Sequence, residues 1–219
     1  MNDSRFGDGC NMQLILIRHG ETLWNKEGRV QGISDVELSD VGRRQARSLA
    51  LSLHDHPIGS IHASPLKRAS QTAEIINEFH HLDIHLHPDL MEMDQGDFEG
   101  LAFKELMVRE KIFLRKWITD PAAVRMPNGE TFLELQHRAW RAVEQIISGA
   151  ENALIVSHNF TIAAILCRLR NISLSEFRST CVDTASKTII RFQNGEVSID
   201  SLNDRSHLQG VVTEATGNH

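Results

Sequence analysis

The chain has 219 residues, room for one large domain or two small ones, and 41% of them are hydrophobic, enough for a sizeable core. A formal net charge of −6 argues against a broad basic face, so nucleic acid is not an expected partner. Three cysteines (Cys10, Cys167 and Cys181) without a C-x-x-C pair point to neither a disulfide framework nor a thiolate metal site, and suit a reducing cytoplasm.

Residues 1–11 are polar, lack the apolar stretch of a signal peptide, and read as a disordered extension. No apolar run approaches the roughly 18 residues of a membrane span, so no membrane partner is expected. Residues 13–18 form a short apolar run ending in charge, the pattern of a buried strand whose C-terminal end is functional. Ser39 reads as the N-cap of a helix over 42–53, and 60–63 as a short strand. Ser64-Pro65 should open a helix running to about residue 79, because Ser suits an N-cap and Pro a first turn. A further strand is expected at 83–87 and a loop over 91–100.

Residues 103–117 read as helix, 120–129 as a Pro-containing connection and 131–147 as a second long helix. Residues 152–156 are a buried strand running into Ser157-His158-Asn159, with a helix to about residue 169. Strands at 188–192 and 196–199 flank Asn194-Gly195, a strong hairpin signal. The tail from 206 to 219 should be loose. Strands alternating with helices imply an α/β fold: a three-layer α/β/α sandwich with a mostly parallel central sheet. With no linker dividing it, 12–205 reads as one domain, with a small helical cap insertion at about 101–128. Ligands of such sheets sit at the C-terminal strand ends, where Arg18-His19 and His158 both fall.

Four segments carry candidate chemistry. In Arg18-His19-Gly20-Glu21-Thr22, a neutral imidazole is a competent nucleophile toward phosphorus and the adjacent guanidinium can clamp phosphate oxygens. Arg68, in the first turn of a helix, would add a second guanidinium where donors already favour anions. His158, at a strand-to-helix switch, can donate to a phosphate oxygen. Glu92 can protonate a leaving oxygen and then activate water. Each segment alone also fits a solvated strand end, an exposed helix Arg, a satisfied core His or a loop carboxylate.

Together the segments resemble the histidine phosphatase superfamily, also called the phosphoglycerate mutase-like family. Arg18 to Thr22 matches its defining motif. The pattern continues through Trp24-Asn25, Gly28-Arg29, Gln31-Gly32, Asp35, Leu38-Ser39, Gly42 and Gln45-Ala46. It resumes at Ser64-Pro65-Leu66, Arg68-Ala69 and Gln71-Thr72-Ala73, at Glu92, Gly96 and Glu99-Gly100, at Pro127 to Thr131, and at Val156-Ser157-His158. The resemblance spans about 13–202 and implies a metal-independent, cofactor-free phosphatase acting on small phosphorylated metabolites. His19 would be the phosphorylated nucleophile and Glu92 the proton donor and later the base. Arg18, Arg68 and His158 would form the phosphate pocket, Asn25 would add an amide donor, and Gln31 and Glu130 would line the site. Relatives include monomers and homodimers.

Asn159 stands where many relatives carry glycine; it can tolerate an unusual backbone angle, and could narrow the pocket or touch substrate. A rival reading is a phosphoglycerate mutase. The cofactor-dependent mutases carry Glu-Arg-His-Tyr-Gly at the acid loop and a longer insertion after it, whereas here Glu92 precedes Met93-Asp94-Gln95-Gly96 and the chain has no tyrosine. A non-catalytic phosphate-binding module is a rival from another class. The twelve histidines, with His85 and His87 on one strand face, lack the spacing of a metal site.

Overall fold

The computed structural model describes residues 11–210. The expected N-terminal extension, but for Asn11, and the tail from 211 onward lie outside the described residues. A six-stranded sheet runs in the order β3-β2-β4-β1-β5-β6, with β1 Met12–Arg18, β2 Ser60–Ala63, β3 Ile84–Leu86, β4 Ala153–Ser157, β5 Lys187–Gln193 and β6 Glu196–Asp204. β1, β4, β2 and β3 are mutually parallel, while β5 pairs antiparallel with β1 and β6 with β5. Asn194 and Gly195, both at positive φ (53° and 78°), form the β5–β6 turn, as the Asn-Gly pair demands.

Alternation along β1 assigns its two faces. Leu14 and Leu16 pack with α6 (Phe132–Ile147) and α7 (Asn159–Leu169), whereas Ile15 and Ile17 pack with α2 (Asp40–Leu53) and α3 (Lys67–Asn77). The result is the expected three-layer sandwich. Ser39 caps α2 by accepting from the Gly42 N–H (3.0 Å). A third cluster joins the segment between β3 and β4 to α7: Leu106 of α4 (Phe103–Arg109), Leu114 and Trp117 of α5 (Lys111–Thr119), and Phe132, Ala163 and Phe177. Trp117, Phe132, Phe160 and Phe177 pack ring against ring, with centroids 5.2–6.3 Å apart.

Four expectations need correction. The helix after β2 begins at Lys67, not at Ser64-Pro65: Leu66 is the N-cap, and Ser64 Oγ accepts from the Leu66 N–H instead (3.3 Å). The single helix over 103–117 is two, broken at Glu110 (φ −111°, ψ 27°). A five-residue helix, α1 (Leu23–Glu27), was not anticipated; a reciprocal capping box between Thr22 and Asn25 holds it. The tail is not loose from 206: Ser206–Leu208 form a 3₁₀ turn, with the Ser48 hydroxyl donating to the His207 carbonyl (2.5 Å) and Leu208 buried.

Candidate active site

The parallel strands bring the predicted residues to one end of the sheet. Arg18 pairs with Ser157 at the last rung of β1–β4. His19 and His158 follow as the two strands end, and their ring centroids lie 5.1 Å apart. Arg68 arrives from the segment after β2, and Glu92 from the turn after β3. Two glycines let the strand end approach α2: a Cβ on Gly20 would sit 2.5 Å from the Gly42 carbonyl oxygen, and one on Gly42 would sit 2.0 Å from that of Glu21.

Hydrogen bonds settle both imidazole tautomers. His19 Nδ1 lies 2.7 Å from the Gly20 carbonyl. A carbonyl only accepts, so Nδ1 carries the proton and Nε2 holds the lone pair. Arg68 Nε donates to His158 Nδ1 (3.2 Å), so the proton of His158 is on Nε2. That nitrogen is buried with no partner among the described residues, as is Arg18 Nε. Burial, then the charges of Arg68 and Arg18, hold the His19 pKa well below the usual histidine value. Burial likewise, with Arg68, His19 and Arg18, depresses His158. Both rings are therefore neutral near pH 7.

Arg68 is fully buried. Its Nη1 donates to the Ser34 carbonyl (2.8 Å) and its Nη2 to the Gly32 carbonyl (2.6 Å). Three of its five N–H bonds are thus spent on positioning, leaving one on each terminal nitrogen. Burial lowers its pKa to about 10, a penalty that a phosphate dianion would relieve. Arg18 Nη1 donates to the Val182 carbonyl (2.5 Å). Gly32 and Ser34 are held in turn by Glu99, whose carboxylate accepts from the Ile33 and Ser34 N–H groups (both 2.8 Å).

Glu92 is buried at the N-terminus of α7, where its carboxylate accepts from the Phe160 and Thr161 N–H groups (both 3.2 Å). Burial raises its pKa above the ordinary glutamate value; the backbone donors of Met93 and Phe160 and the two arginines oppose it. Entry of a dianion would neutralise those arginines and push the carboxyl further toward its protonated form.

The remaining predicted residues fall into two kinds. Asn25 and Gln31 are half-buried near the His19 turn. Asn25 Oδ1 accepts from the Thr22 N–H (3.0 Å), and Gln31 Oε1 from the Thr22 hydroxyl (2.7 Å). Asn159 is the first residue of α7, at an ordinary negative φ, so no unusual backbone angle is involved. Its Oδ1 accepts from the Val182 N–H (2.9 Å), tying α7 to the segment that anchors Arg18. Glu130 does not present a free carboxylate to the site: it is ion-paired with Arg138 (2.6 Å) beneath the Glu92 loop. Sequence reasoning missed Arg138, and placed Glu99 only as part of a pattern.

Among the described residues, no group of three or more His, Cys, Asp or Glu side chains is arranged to hold a metal ion, and no helix is long and apolar enough to cross a membrane.

A buried cluster of two neutral imidazoles, two guanidiniums and a carboxyl whose pKa burial raises is the donor set of a phosphate-handling enzyme. The chain belongs to the histidine phosphatase superfamily (branch 1), whose family profile matches residues 14–205. It is 33% identical to phosphoserine phosphatase 1 of Hydrogenobacter thermophilus, over 93% of this chain and 98% of that protein. It is 31% identical to a probable phosphoglycerate mutase, GpmB of Yersinia pestis, over 90% and 95%. Among solved structures, YhfR of Bacillus stearothermophilus superposes with a TM-score of 0.84 at 31% identity, covering 90% of this chain and 99% of that one.

Proposed function

We propose that the protein hydrolyses phosphate monoesters of small metabolites in the cytoplasm, without metal, through a phosphohistidine on His19. The observation that carries this reading is the complementary pair of imidazoles: a lone pair on His19 Nε2 beside an unpartnered N–H on His158 Nε2. The ester dianion sits against Arg18, Arg68 and His158, with the Asn25 and Gln31 amides at its edge. His19 Nε2 attacks phosphorus in line, an N–P bond forms, and the P–O bond to the leaving group breaks. Glu92 gives its proton to the departing oxygen. Charge on the transferring phosphoryl group is met by the guanidiniums and the His158 N–H, work that Mg²⁺ performs in kinases. Water then attacks phosphorus as ionised Glu92 takes its proton, and the N–P bond breaks to release phosphate.

Phosphoserine heads the substrate panel because a relative carries that activity in its name. The acid loop, Glu92-Met93-Asp94-Gln95-Gly96, lacks the Arg-His-Tyr of the cofactor-dependent mutases, which favours water over a second substrate as acceptor. Monomer and homodimer are both compatible with the reading. The test is hydrolysis of p-nitrophenyl phosphate and phosphoserine in excess EDTA, with rapid-quench trapping of ³²P. The expected result is EDTA-resistant turnover with acid-labile label on His19, absent from His19→Ala. Label on another residue, turnover that dies in EDTA, or mutase activity far above hydrolysis would overturn it.

A further inference from the structure

Arg138 lies on α6, outside every motif that carries the phosphate chemistry, yet its guanidinium is directed at the catalytic acid's loop. Nη1 donates to the carbonyls of Asp89 (2.9 Å) and Met91 (2.7 Å). Nη2 donates to the carbonyl of Glu92 itself (2.8 Å) and to Glu130 Oε1 (2.6 Å), and Nε donates to Glu130 Oε2 (3.1 Å). Those five bonds use all five N–H groups of an arginine, so none is left for a substrate. Glu130 extends the hold beyond the acid: its Oε1 also accepts from the Asp94 N–H (2.9 Å). The loop is thus gripped before, at and after Glu92 by one ion pair whose side chains are only 17% and 15% exposed.

We propose that the Arg138–Glu130 pair positions Glu92 for proton transfer, while contributing nothing directly to phosphate binding. This rests on the reading of Glu92 as the general acid. A guanidinium has five N–H donors in a rigid fork, enough for three carbonyls and both oxygens of Glu130; an ammonium has three and cannot hold all five. A general acid displaced by about 1 Å loses on the order of 10²-fold in rate. The consequence depends on the leaving group. A nitrophenolate departs without protonation, whereas a serine alkoxide requires the proton. The value of kcat/KM reports the steps through P–O cleavage, so it isolates the acid role from the later base role.

The experiment compares kcat/KM for phosphoserine and p-nitrophenyl phosphate in Arg138→Lys, Glu130→Ala, Glu130→Gln and Glu92→Gln, with Ki for inorganic phosphate and Tm for each. For Arg138→Lys and Glu130→Ala the expected loss is about 10- to 100-fold on phosphoserine and under about 3-fold on the aryl ester, with phosphate Ki unchanged. Glu130→Gln keeps an acceptor for the Asp94 N–H and for Arg138, and should recover most of the activity. Should Arg138→Lys fail to fold, Glu130→Ala carries the test alone. Equal losses on the two esters, or none, beside a Glu92→Gln variant that does discriminate, would overturn the clamp and leave the acid standing. A Glu92→Gln variant that fails to discriminate would overturn the acid assignment and the clamp with it.

Discussion

Two groups of histidines stand near the same end of the sheet, and their geometry is almost alike. His19 and His158 have ring centroids 5.1 Å apart. His62 on β2 lies 5.2 Å from His85 on β3 and 5.1 Å from His87 just beyond it. Burial depresses the pKa of His19, His158 and His62 alike. The difference lies in what the nitrogens have left to do. His62 spends Nδ1 on His87 Nε2 (2.9 Å) and Nε2 on the Ser60 hydroxyl (3.1 Å). His19 and His158 each commit only Nδ1, and two arginines converge on the space they share. Proximity of imidazoles is therefore not a site; an uncommitted lone pair facing uncommitted donors is.

The sharpest way to break this comparison is to remove one histidine from each group. His19→Ala should lose on the order of 10⁴-fold or more in kcat, as removal of a nucleophile does. His62→Ala should stay within about 2-fold, because no chemistry passes through it. Comparable losses in both would mean that the sheet edge, not the pocket, governs activity. A smaller effect probes the arginines that set the two groups apart. Arg68→Lys keeps a charge but loses both carbonyl anchors and the donor that fixes the His158 tautomer, so kcat/KM should fall about 10²- to 10³-fold. A variant within a few-fold of the wild type would show that charge alone suffices.

The pH profile sharpens the same contrast. The proposed mechanism needs His19 neutral, and its pKa is held well below the usual 6.5, so activity should persist as pH falls past 6.5. That mechanism also needs Glu92 protonated. A carboxyl raised above 4.5 releases its proton as pH climbs, so kcat/KM for phosphoserine should decline on the alkaline side. In Glu92→Gln that alkaline limb should disappear. A limb that survives the substitution belongs to another group.

Much of this was legible in the sequence. β1 and β4 declare themselves as apolar runs, and their parallel pairing places His19 beside His158 once the strands end level. Arg68 and Glu92 were legible only through the resemblance of the assembled segments, because each alone also fits an exposed helix Arg or a loop carboxylate. What stayed hidden works through the backbone. Arg138 donates to three carbonyls forty-odd positions away in the chain, and carbonyls leave no mark on residue identity. Asn159 invites a substrate role on its own, yet its amide serves the Val182 N–H, whose position depends on the fold of 174–182 against α7. The break at Glu110 was equally silent, because the apolar spacing of 103–117 satisfies one helix as well as two.

The smallest expected effect concerns stability at the edge cluster. His62, little more than half-buried, is pushed down to about 4 by burial first and then by His87 and His85; Asp89 acts on His87 in the opposite direction. The folded protein therefore keeps this ring neutral at a pH where the unfolded chain, near 6.5, takes up a proton. Stability from His62 is fully present above 6.5 and is lost as pH falls toward 4. With solvent screening of a half-exposed ring, the loss should be about 1 kcal/mol, or roughly 2–4 °C in Tm for a chain of this size. His62→Gln, which cannot titrate, should show a correspondingly smaller drop in Tm between pH 7 and pH 4.5. An equal drop in wild type and variant would assign the acid sensitivity to other groups, among them His19 and His158, whose buried rings must also refuse a proton, and would leave His62 without a titration of its own.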